Sequence, residues 1–402
     1  MSKRYIGGLI SAFNNLKVAN APTIGAVSGA VNAKACVAFT APSCVGGGAI
    51  TSYTAVSNPG FKTGTGTTSP VQVTCLTNGT AYTFTVSANN AYGPSAFSAA
   101  SSSVTPVVAG TVGIFALGSN SCAIASTTRN KYTFSGCVNG SATSATTASQ
   151  NGAAVGNSLF GVFALGCINT AAGSATRDKY TYSGCVVSSA TSASTASQFG
   201  AAVGNSTVGI FALGFNCSSG RLSTRNKYTY ACNTNNTAAA SSTPAFEQSA
   251  AGNSTIGIFA LGNTGSRSTT RNKYTYSGDT NATAAAASVA SASGAAVGTS
   301  LIGIFSLGVN VCGVKLTTRN KFTYACCTST SATSASVGSL YQSATGNSTV
   351  GIIAAGTVSP NSPSTTRCKY TYSGCVNSSA TAASAASSNG SAASNGTCGV
   401  NV

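Results

Sequence analysis

Apolar and polar positions along the chain recur in six similar blocks. Each block opens with an apolar hexad between glycines, and the hexads GIFALG, GVFALG, GIFALG, GIFALG, GIFSLG and GIIAAG begin at Gly113, Gly161, Gly209, Gly257, Gly303 and Gly351. The spacings are 48, 48, 48, 46 and 48 residues. A fixed period of this length predicts one structural unit per block, and each unit buries its apolar side only by stacking on its neighbours.

Each block continues with a second signature and then a tract of small residues. The signatures are TTRNKYTFSG, ATRDKYTYSG, STRNKYTYAC, TTRNKYTYSG, TTRNKFTYAC and TTRCKYTYSG. The hexad and the KYTYS segment are aromatic, β-branched and bounded by glycine, which predicts two strands per repeat. The Ala/Ser/Thr tract permits two further strands or an Ala-rich helix, and its interspersed Ser, Thr and Gly favour strands.

Residues 22–107 lack this period and alternate in the manner of a separate β domain. Apolar side chains at Tyr82, Phe84, Val86 and Ala88 are two positions apart, so they are expected on the buried face of one strand. Residues 22–107 end shortly before the first repeat, which begins at Gly113. We therefore predict a domain boundary near residue 107.

The 22–107 region resembles a fibronectin type III module over nearly its whole length. The most specific part is LTNGTAYTFTVSANNAYGPSAFS, from Leu76 to Ser98. The resemblance implies that Leu76 and Gly79 mark a turn before a long strand and that Tyr82 is the tyrosine-corner residue of a β-sandwich. Phe39 stands where that family usually has a core Trp, and the region has no Arg-Gly-Asp tripeptide.

Composition restricts the chemistry that the chain can perform. Its 402 residues include 20 Lys plus Arg, 3 Asp plus Glu and no His, for a net charge of +17. Nucleophilic catalysis lacks a base within any repeat, and hydrolysis by paired carboxylates lacks the pair, so an enzyme is not expected. Abundant glycine and small residues predict an all-β protein. There is no apolar run of 18 residues, so no membrane span is expected.

The positive charge is periodic. Twelve of the 20 cationic residues form Arg-x-Lys pairs, one per repeat: Arg129 and Lys131, Arg177 and Lys179, Arg225 and Lys227, Arg271 and Lys273, Arg319 and Lys321, and Arg367 and Lys369. Residues two apart on a strand share a face, so a closed array would carry a cationic ring, a candidate site for acidic glycans, phosphates or carboxylate-rich partners. Alternatively, each pair marks a solvated strand start whose aliphatic stems cover the core.

Cysteines also follow the repeats. In four repeats one Cys precedes and one follows the Arg-x-Lys element: Cys122 and Cys137, Cys167 and Cys185, Cys217 and Cys232, and Cys312 and Cys326. These pairs are disulfide candidates because the fourth repeat lacks both members. A continuous strand between them would hold the two thiols too far apart, so a bridge requires a chain reversal near Arg-Asn or partners in different repeats. Buried or free thiols are the alternative.

Metal and nucleic-acid sites are not expected. Zinc sites need converging Cys or His ligands, and the chain has no His and no Cys-x-x-Cys. Basic residues alternate with aromatic ones, but the aromatic residues read as core and no nucleic-acid-binding motif accompanies them. We predict no cofactor and no metal.

A repeat of about 48 residues with four short strands resembles one blade of a β-propeller of the kelch or WD40 type. The resulting prediction is an N-terminal attachment peptide at 1–21, a fibronectin type III-like sandwich at 22–107 and a six-repeat propeller-like domain at 108–402. A β-solenoid fibre is the competing β architecture, because the same stacking operates without closure.

Together, the opening MSKRYIGGLIS, the fibronectin-like module and the GIFALG…TTRNKYTYSG…GNST array resemble virion proteins of tailed bacteriophages. The resemblance implies a structural role on the particle surface, as tail fibre, tail tip or capsid decoration, with host adhesion. Expected partners are other virion proteins and anionic host-surface glycans. A bacterial cell-surface or matrix adhesin is the alternative.

Overall fold

The chain forms two compact units, Met1–Val108 and Ala109–Val402. The structure, a computed structural model, describes residues 17–31, 34–77, 80–106, 111–120, 124–134, 136–168, 173–182, 185–359 and 361–394. Most of the predicted attachment peptide, residues 1–16, lies outside these ranges, as do Gly79 and Cys122. Every described element is a β-strand, so the described part of the chain is all-β as predicted.

The first unit contains two antiparallel sheets. Its strands are β1 (Thr23–Val31), β2 (Lys34–Thr40), β3 (Ser52–Asn58), β4 (Thr63–Gly66), β5 (Val71–Val73), β6 (Thr83–Asn90) and β7 (Gly93–Pro94). One sheet has the order β1-β2-β5 and the other has the order β4-β3-β6-β7. Their apolar faces form one shared core.

Alternation along the strands builds this core. Phe84, Val86 and Ala88 of β6 are buried, as the sequence pattern predicts. The buried ring of Phe39 lies 4.5 Å from that of Tyr53, so the two aromatic rings pack together in this core. The Tyr82 hydroxyl accepts a hydrogen bond from the backbone N–H of Thr77 at 3.0 Å, which ties the segment before β6 to the sheet.

The second unit contains six four-stranded antiparallel sheets, numbered 1 to 6 in chain order of their second strands. The innermost strands of sheets 1 to 6 are β39 (Ser391–Ser394), β12 (Ala153–Gly156), β17 (Ala201–Gly204), β23 (Ser249–Gly252), β28 (Ala295–Gly298) and β33 (Ser343–Gly346). The second strands are β8 (Val112–Ala116), β13 (Phe160–Ala164), β18 (Val208–Ala212), β24 (Ile256–Ala260), β29 (Ile302–Ser306) and β34 (Val350–Ala354).

The two outer positions of each sheet follow the same order. The third strands are β9 (Arg129–Thr133), β15 (Arg177–Thr181), β21 (Arg225–Thr229), β25 (Arg271–Thr275), β31 (Arg319–Thr323) and β37 (Arg367–Thr371). The outermost strands are β10 (Val138–Ala142), β16 (Val186–Ala190), β22 (Thr234–Ala238), β26 (Thr280–Ala284), β32 (Thr328–Ala332) and β38 (Val376–Ala380). Short two-residue strands are β11 (Ser149–Gln150), β14 (Cys167–Ile168), β19 (Phe215–Asn216), β20 (Gly220–Arg221), β27 (Ser291–Ala292), β30 (Val309–Asn310), β35 (Thr357–Val358) and β36 (Ser362–Pro363).

Each repeat therefore supplies four strands to the sheets, and the small-residue tract supplies two of them. The tract of the fourth repeat forms β26 and then β28, which confirms the strand prediction and excludes the helical alternative there. Because the tract's second strand joins the following sheet, every repeat spans two sheets. This sharing of strands links each sheet covalently and by backbone hydrogen bonds to the next.

The first glycine of each hexad makes room for the neighbouring sheet. A Cβ added at Gly257 of sheet 4 would lie 2.4 Å from a side-chain carbon of Val203 in sheet 3. The same close approach occurs between sheet 6 and sheet 1, where a Cβ at Gly113 would lie 2.4 Å from a side-chain carbon of Thr345. The hexad thus begins with glycine because an adjacent innermost strand inserts a side chain there.

Contacts between the six sheets run in a closed cycle. The innermost strands contact one another in the order β39, β12, β17, β23, β28, β33 and back to β39. Sheet 1 gains its innermost strand from the far end of the array, because β39 pairs with β8 through Ala393 opposite Ile114 and Ala392 opposite Phe115. The last repeat therefore completes the first sheet.

Removing β39 should destabilise the second unit as a whole. A chain ending at Gly390 loses a four-residue ladder at about 1 kcal/mol per backbone hydrogen bond, and about 2–4 °C follows per kcal/mol in a domain of this size. We expect the midpoint of thermal unfolding to fall by at least about 8 °C. A chain ending at Ser394, which keeps β39, is the matched control. Equal melting of the two chains by circular dichroism would contradict the closing role of β39.

Candidate functional site

The six arginines of the Arg-x-Lys pairs are buried between sheets. Arg129, Arg177, Arg225, Arg271, Arg319 and Arg367 are each 0–1% exposed. Every one begins a third strand and points at the following sheet, with Arg367 of sheet 6 reaching sheet 1. Because an isolated buried charge is very unfavourable, each guanidinium needs polar partners inside the protein.

In five of the six interfaces the guanidinium stacks on the hexad phenylalanine of the following sheet. The distances from the guanidinium carbon to the ring centroid are 4.6 Å for Arg129–Phe163, 4.3 Å for Arg177–Phe211, 4.2 Å for Arg225–Phe259, 4.5 Å for Arg271–Phe305 and 4.3 Å for Arg367–Phe115. Sheet 6 has Ile353 at this position, and there Arg319 lies 5.7 Å from the ring of Tyr370 instead. Cation–π attraction is strongest where water is excluded, as it is here.

Hydrogen bonds complete each interface. The residue after the arginine in the following sheet accepts from the guanidinium: Arg177–Asn226 at 3.2 Å, Arg225–Asn272 at 3.4 Å, Arg271–Asn320 at 3.1 Å and Arg367–Asn130 at 3.1 Å. In sheet 2 this acceptor is Asp178, which forms a buried ion pair with Arg129 at 2.9 Å. Burial lowers the pKa of Arg177, Arg225, Arg271 and Arg367 to about 10.

The predicted ligand-binding ring of arginines is therefore wrong. The guanidinium groups are already bound by the next sheet, so Arg129, Arg177, Arg225, Arg271, Arg319 and Arg367 present no surface to an acidic ligand. The alternative of a solvated strand start is also wrong for these arginines, because their charged ends are as buried as their stems. They join neighbouring sheets.

The lysines of the pairs are half-buried and also face neighbouring groups. Lys227 bonds to Asp279 of the next sheet at 3.2 Å. The Lys273 amine lies 4.0 Å from the Cys327 sulfur and the Lys369 amine lies 3.8 Å from the Cys137 sulfur, again across a sheet boundary. The Lys179 amine lies 4.3 Å from the centroid of Phe160. Lys131 and Lys321 are likewise half-buried on their strands. Lys179, Lys227, Lys273 and Lys369 therefore contact groups within the protein.

Three of the predicted disulfides have both cysteines within the described ranges, and none of the three is formed: Cys167–Cys185, Cys217–Cys232 and Cys312–Cys326. The continuous strand β15 lies between Cys167 and Cys185 in the chain. An extended strand holds the residues at its two ends apart, which opposes a bridge between these thiols. Cys122, the candidate partner of Cys137, lies outside the described residues.

A ring of six backbone hydrogen bonds surrounds the axis of the second unit. The residue two positions before each innermost strand donates its N–H to the carbonyl of the equivalent residue in the preceding sheet, at 2.8 to 3.3 Å. The members of this axial ring are Asn151, Phe199, Glu247, Ser293, Tyr341 and Asn389. All six have positive φ, from +54° to +58°. The cycle closes, because Asn151 donates to Asn389 and Asn389 donates to Tyr341.

The last glycine of each hexad supports the axial ring. Gly262 has φ +65°, and a Cβ there would lie 2.2 Å from the carbonyl oxygen of Glu247. Gly356 has φ +64° and approaches the Tyr341 carbonyl in the same way. These glycines permit the close backbone approach on which the ring depends.

The axial ring borders an open cavity to which every sheet contributes. It is lined by the six ring residues and by the residue after each: Gly152, Gly200, Gln248, Gly294, Gln342 and Gly390. Although the backbone is the same in all six repeats, the side chains here are not. A concave site that combines amides, a carboxyl and aromatic rings on a rigid scaffold is the best candidate for ligand binding.

Phe199, Glu247 and Tyr341 supply the aromatic and ionisable side chains of the cavity. The ring centroids of Phe199 and Tyr341, from opposite members of the axial ring, are 6.4 Å apart. Burial raises the pKa of Glu247, although Ser293 and Arg267 act in the opposite direction. The pKa of Tyr341 is also raised, first by burial and then by the charge of Glu247. Glu247 is thus held towards its neutral form beside a phenol.

Sequence reasoning missed this site. The six ring positions fall at the variable end of each tract, where Asn, Phe, Glu, Ser, Tyr and Asn follow no shared pattern. The signal that could have indicated the site is the variation in residue type at these positions. Each of them lies just before the regular start of an innermost strand. Positive φ at non-glycine residues is not readable from such a mixture.

Comparison with known proteins adds little. No protein-family model and no curated protein matches the chain. A crystal structure of titin domains A168–A170 is similar to part of it, with 24% sequence identity and a TM-score of 0.21, covering 22% of this chain and 32% of the titin chain. This likeness is too small to assign a function.

Helices that could span a membrane and clusters that could bind a metal ion are both absent from the described residues. In the described ranges no helix has the length and apolarity needed to cross a membrane. The same residues hold no group of three or more His, Cys, Asp or Glu side chains arranged to bind a metal ion.

The buried ion pair gives a testable asymmetry among the interfaces. Arg129→Met leaves the Asp178 carboxylate buried without its partner, which should cost about 3–5 kcal/mol. Asp178→Asn alone should cost less than about 1 kcal/mol, because Asn serves at this position in four other sheets. Adding Asp178→Asn to Arg129→Met should therefore restore part of the loss.

The measurement is a double-mutant cycle by denaturant unfolding. Arg177→Met is the matched control, since its partner Asn226 is already neutral. If the double variant were no more stable than Arg129→Met, the ion pair would not be the source of the loss.

Glu247 should make stability depend on pH. Its pKa in the folded protein lies above the ordinary value of 4.5, so its contribution to stability is full below that value and is lost as pH rises through the raised pKa. Glu247→Gln removes this dependence. Between about pH 4 and pH 8 the melting temperature of the wild type should fall relative to that of the variant. Parallel curves would contradict the assignment.

Proposed function

We propose that this protein is a non-enzymatic surface protein of a tailed-phage virion and that it mediates adhesion to the host. In this proposal the first unit is a fibronectin type III-like sandwich that acts as a spacer. The six sheets of the second unit are the blades of a β-propeller that faces outward. The fibronectin-like and repeat motifs that resemble phage virion proteins support the location.

The closed cycle of sheets favours a propeller over the β-solenoid alternative. In an open stack the first and last units lie far apart, whereas here β39 pairs with β8 and Arg367 bonds to Asn130. Each innermost strand lies next to two others around one axis. A propeller is the architecture in which radial repetition produces such a cycle.

The observation that carries adhesion is the break in symmetry at the axial cavity. The arginine interfaces repeat with few changes around the unit, but the axial ring carries Asn, Phe, Glu, Ser, Tyr and Asn. Identical backbone with different side chains is what a binding site built on a rigid scaffold requires. The cavity is therefore where the protein meets a specific ligand.

The placement of the acids supports binding over hydrolysis. Glu247 lines the cavity, whereas Asp178 is paired with Arg129 and Asp279 is paired with Lys227. These are the three carboxylate side chains of the chain. Hydrolysis of a glycosidic bond normally uses two carboxyl groups on either side of the bond, and here the other two are engaged at sheet boundaries.

Particle location and adhesion can be tested together. Mass spectrometry and immunogold labelling of purified virions should place the chain on the particle surface, and antibodies against the second unit should reduce adsorption to host cells. Antibodies against the first unit are the matched control and should block less. Virions that lack the chain would refute the proposal, and labelling of the surface of uninfected bacteria would favour the adhesin alternative.

A further inference from the structure

We propose that the axial cavity binds one ring of a neutral, hydroxyl-rich molecule such as a sugar. This inference rests on the proposed adhesive function and names the chemical class of its ligand. It differs from the anionic glycans expected from the net charge, because the arginines behind that expectation are occupied within the protein.

Two buried glutamines supply unused acceptors. Gln248 and Gln342 line the cavity and are 4% and 6% exposed. Their amide nitrogens donate to the carbonyls of Ala245 and Ser339, at 3.0 and 2.8 Å. Because a carbonyl requires a donor, these bonds fix the orientation of each amide. The two Oε1 atoms are then buried without a hydrogen-bond partner.

These glutamines are departures from the repeat. The equivalent position is Gly152, Gly200, Gly294 or Gly390 in the other four repeats, so the scaffold does not need a side chain there. A buried acceptor without a partner is unfavourable for folding. The side-chain oxygens of Asn151 and Asn389 are also buried without a partner, and both residues line the cavity. Four unsatisfied oxygens around one cavity indicate a ligand that donates hydrogen bonds.

Aromatic rings provide an apolar surface beside the acceptors. Phe199 and Tyr341 belong to opposite members of the axial ring, and Phe199 also packs on Phe246 with centroids 6.1 Å apart. A sugar presents C–H groups on the faces of its ring and hydroxyl groups at its rim. Aromatic rings pack on the C–H groups, and amide oxygens accept hydrogen bonds from the hydroxyl groups.

Charge favours a neutral ligand over an organic cation. Arg267 is close enough to influence the titration of both Glu247 and Tyr341, so this side of the cavity already contains a positive charge. A net charge of +17 also repels cations at long range. The carboxyl of Glu247 can accept hydrogen bonds from hydroxyl groups.

The cavity is accessible to a small ligand, because it is open to solvent. Phe199, Glu247 and Tyr341 are half-buried, so each is reached from solvent.

Binding can be tested with free monosaccharides. Glucose, galactose, mannose and rhamnose are titrated into the full chain by saturation-transfer NMR and calorimetry, with choline as a cationic probe. We expect at least one sugar to bind and choline not to bind. The paired change Gln248→Gly and Gln342→Gly should weaken that sugar by about tenfold or more, since two hydrogen bonds are lost.

The repeats provide variants that keep the fold. In the other four repeats glycine already occupies the position of Gln248 and Gln342. Tyr341→Asn introduces the residue found at Asn151, and asparagine tolerates positive φ. Both variants should melt no lower than the wild type and should bind the sugar about tenfold or more weakly. Gln72→Gly, at an exposed position in the first unit, should leave binding unchanged.

Three results would overturn the inference. They are no sugar binding up to about 50 mM, binding of choline in place of sugars, and sugar affinity unchanged by the paired glutamine variant. None of them bears on whether virions carry the chain or whether antibodies block adsorption. The two proposals can therefore fail separately.

Discussion

Burial of six guanidinium groups between sheets is the constraint on which the second unit depends. A buried charge must find its partners inside the protein, and each arginine finds them in the following sheet, on a phenylalanine ring and an asparagine or aspartate oxygen in most interfaces. Such an arrangement has no natural end in an open array, because the last arginine would be left without acceptors. Closure resolves this, since Arg367 bonds to Asn130 and Asn139 of sheet 1.

The same closure organises the axis. Once the sheets return on themselves, the chain before each innermost strand meets its equivalent in the preceding sheet, and the backbone hydrogen bonds form a cycle. These bonds use N–H and carbonyl groups that every residue type except proline possesses. Hexad glycines at positive φ allow the necessary approach. The interfaces are therefore constrained in sequence, whereas the axial ring is constrained mainly in backbone conformation.

Strand positions could be predicted from sequence because their causes are local. The hexad from Gly257 and the signature from Arg271 show glycine boundaries, β-branched residues and aromatic residues within a few positions. The role of Arg271 could not be predicted in this way. Its partners Asn320 and Phe305 lie one repeat further along the chain, and a lone Arg-x-Lys on a strand has the pattern of a solvated face. The site at Glu247 and Tyr341 could not be predicted for a related reason. Only closure of the cycle of six sheets brings the six variable positions together.

Variation at the axis has a modest energetic cost, which explains how the site departs from the repeat. Holding a non-glycine residue at positive φ costs on the order of 1 kcal/mol, and it is least for Asn. Asn151 and Asn389 are therefore the ring members with the smallest cost, while Phe199, Glu247, Ser293 and Tyr341 adopt positive φ at a larger one. Together with the unsatisfied amide oxygens of Gln248 and Gln342, these residues concentrate unfavourable features at one cavity. A scaffold closed by six arginine interfaces tolerates that concentration, and a ligand that satisfies the acceptors would relieve it.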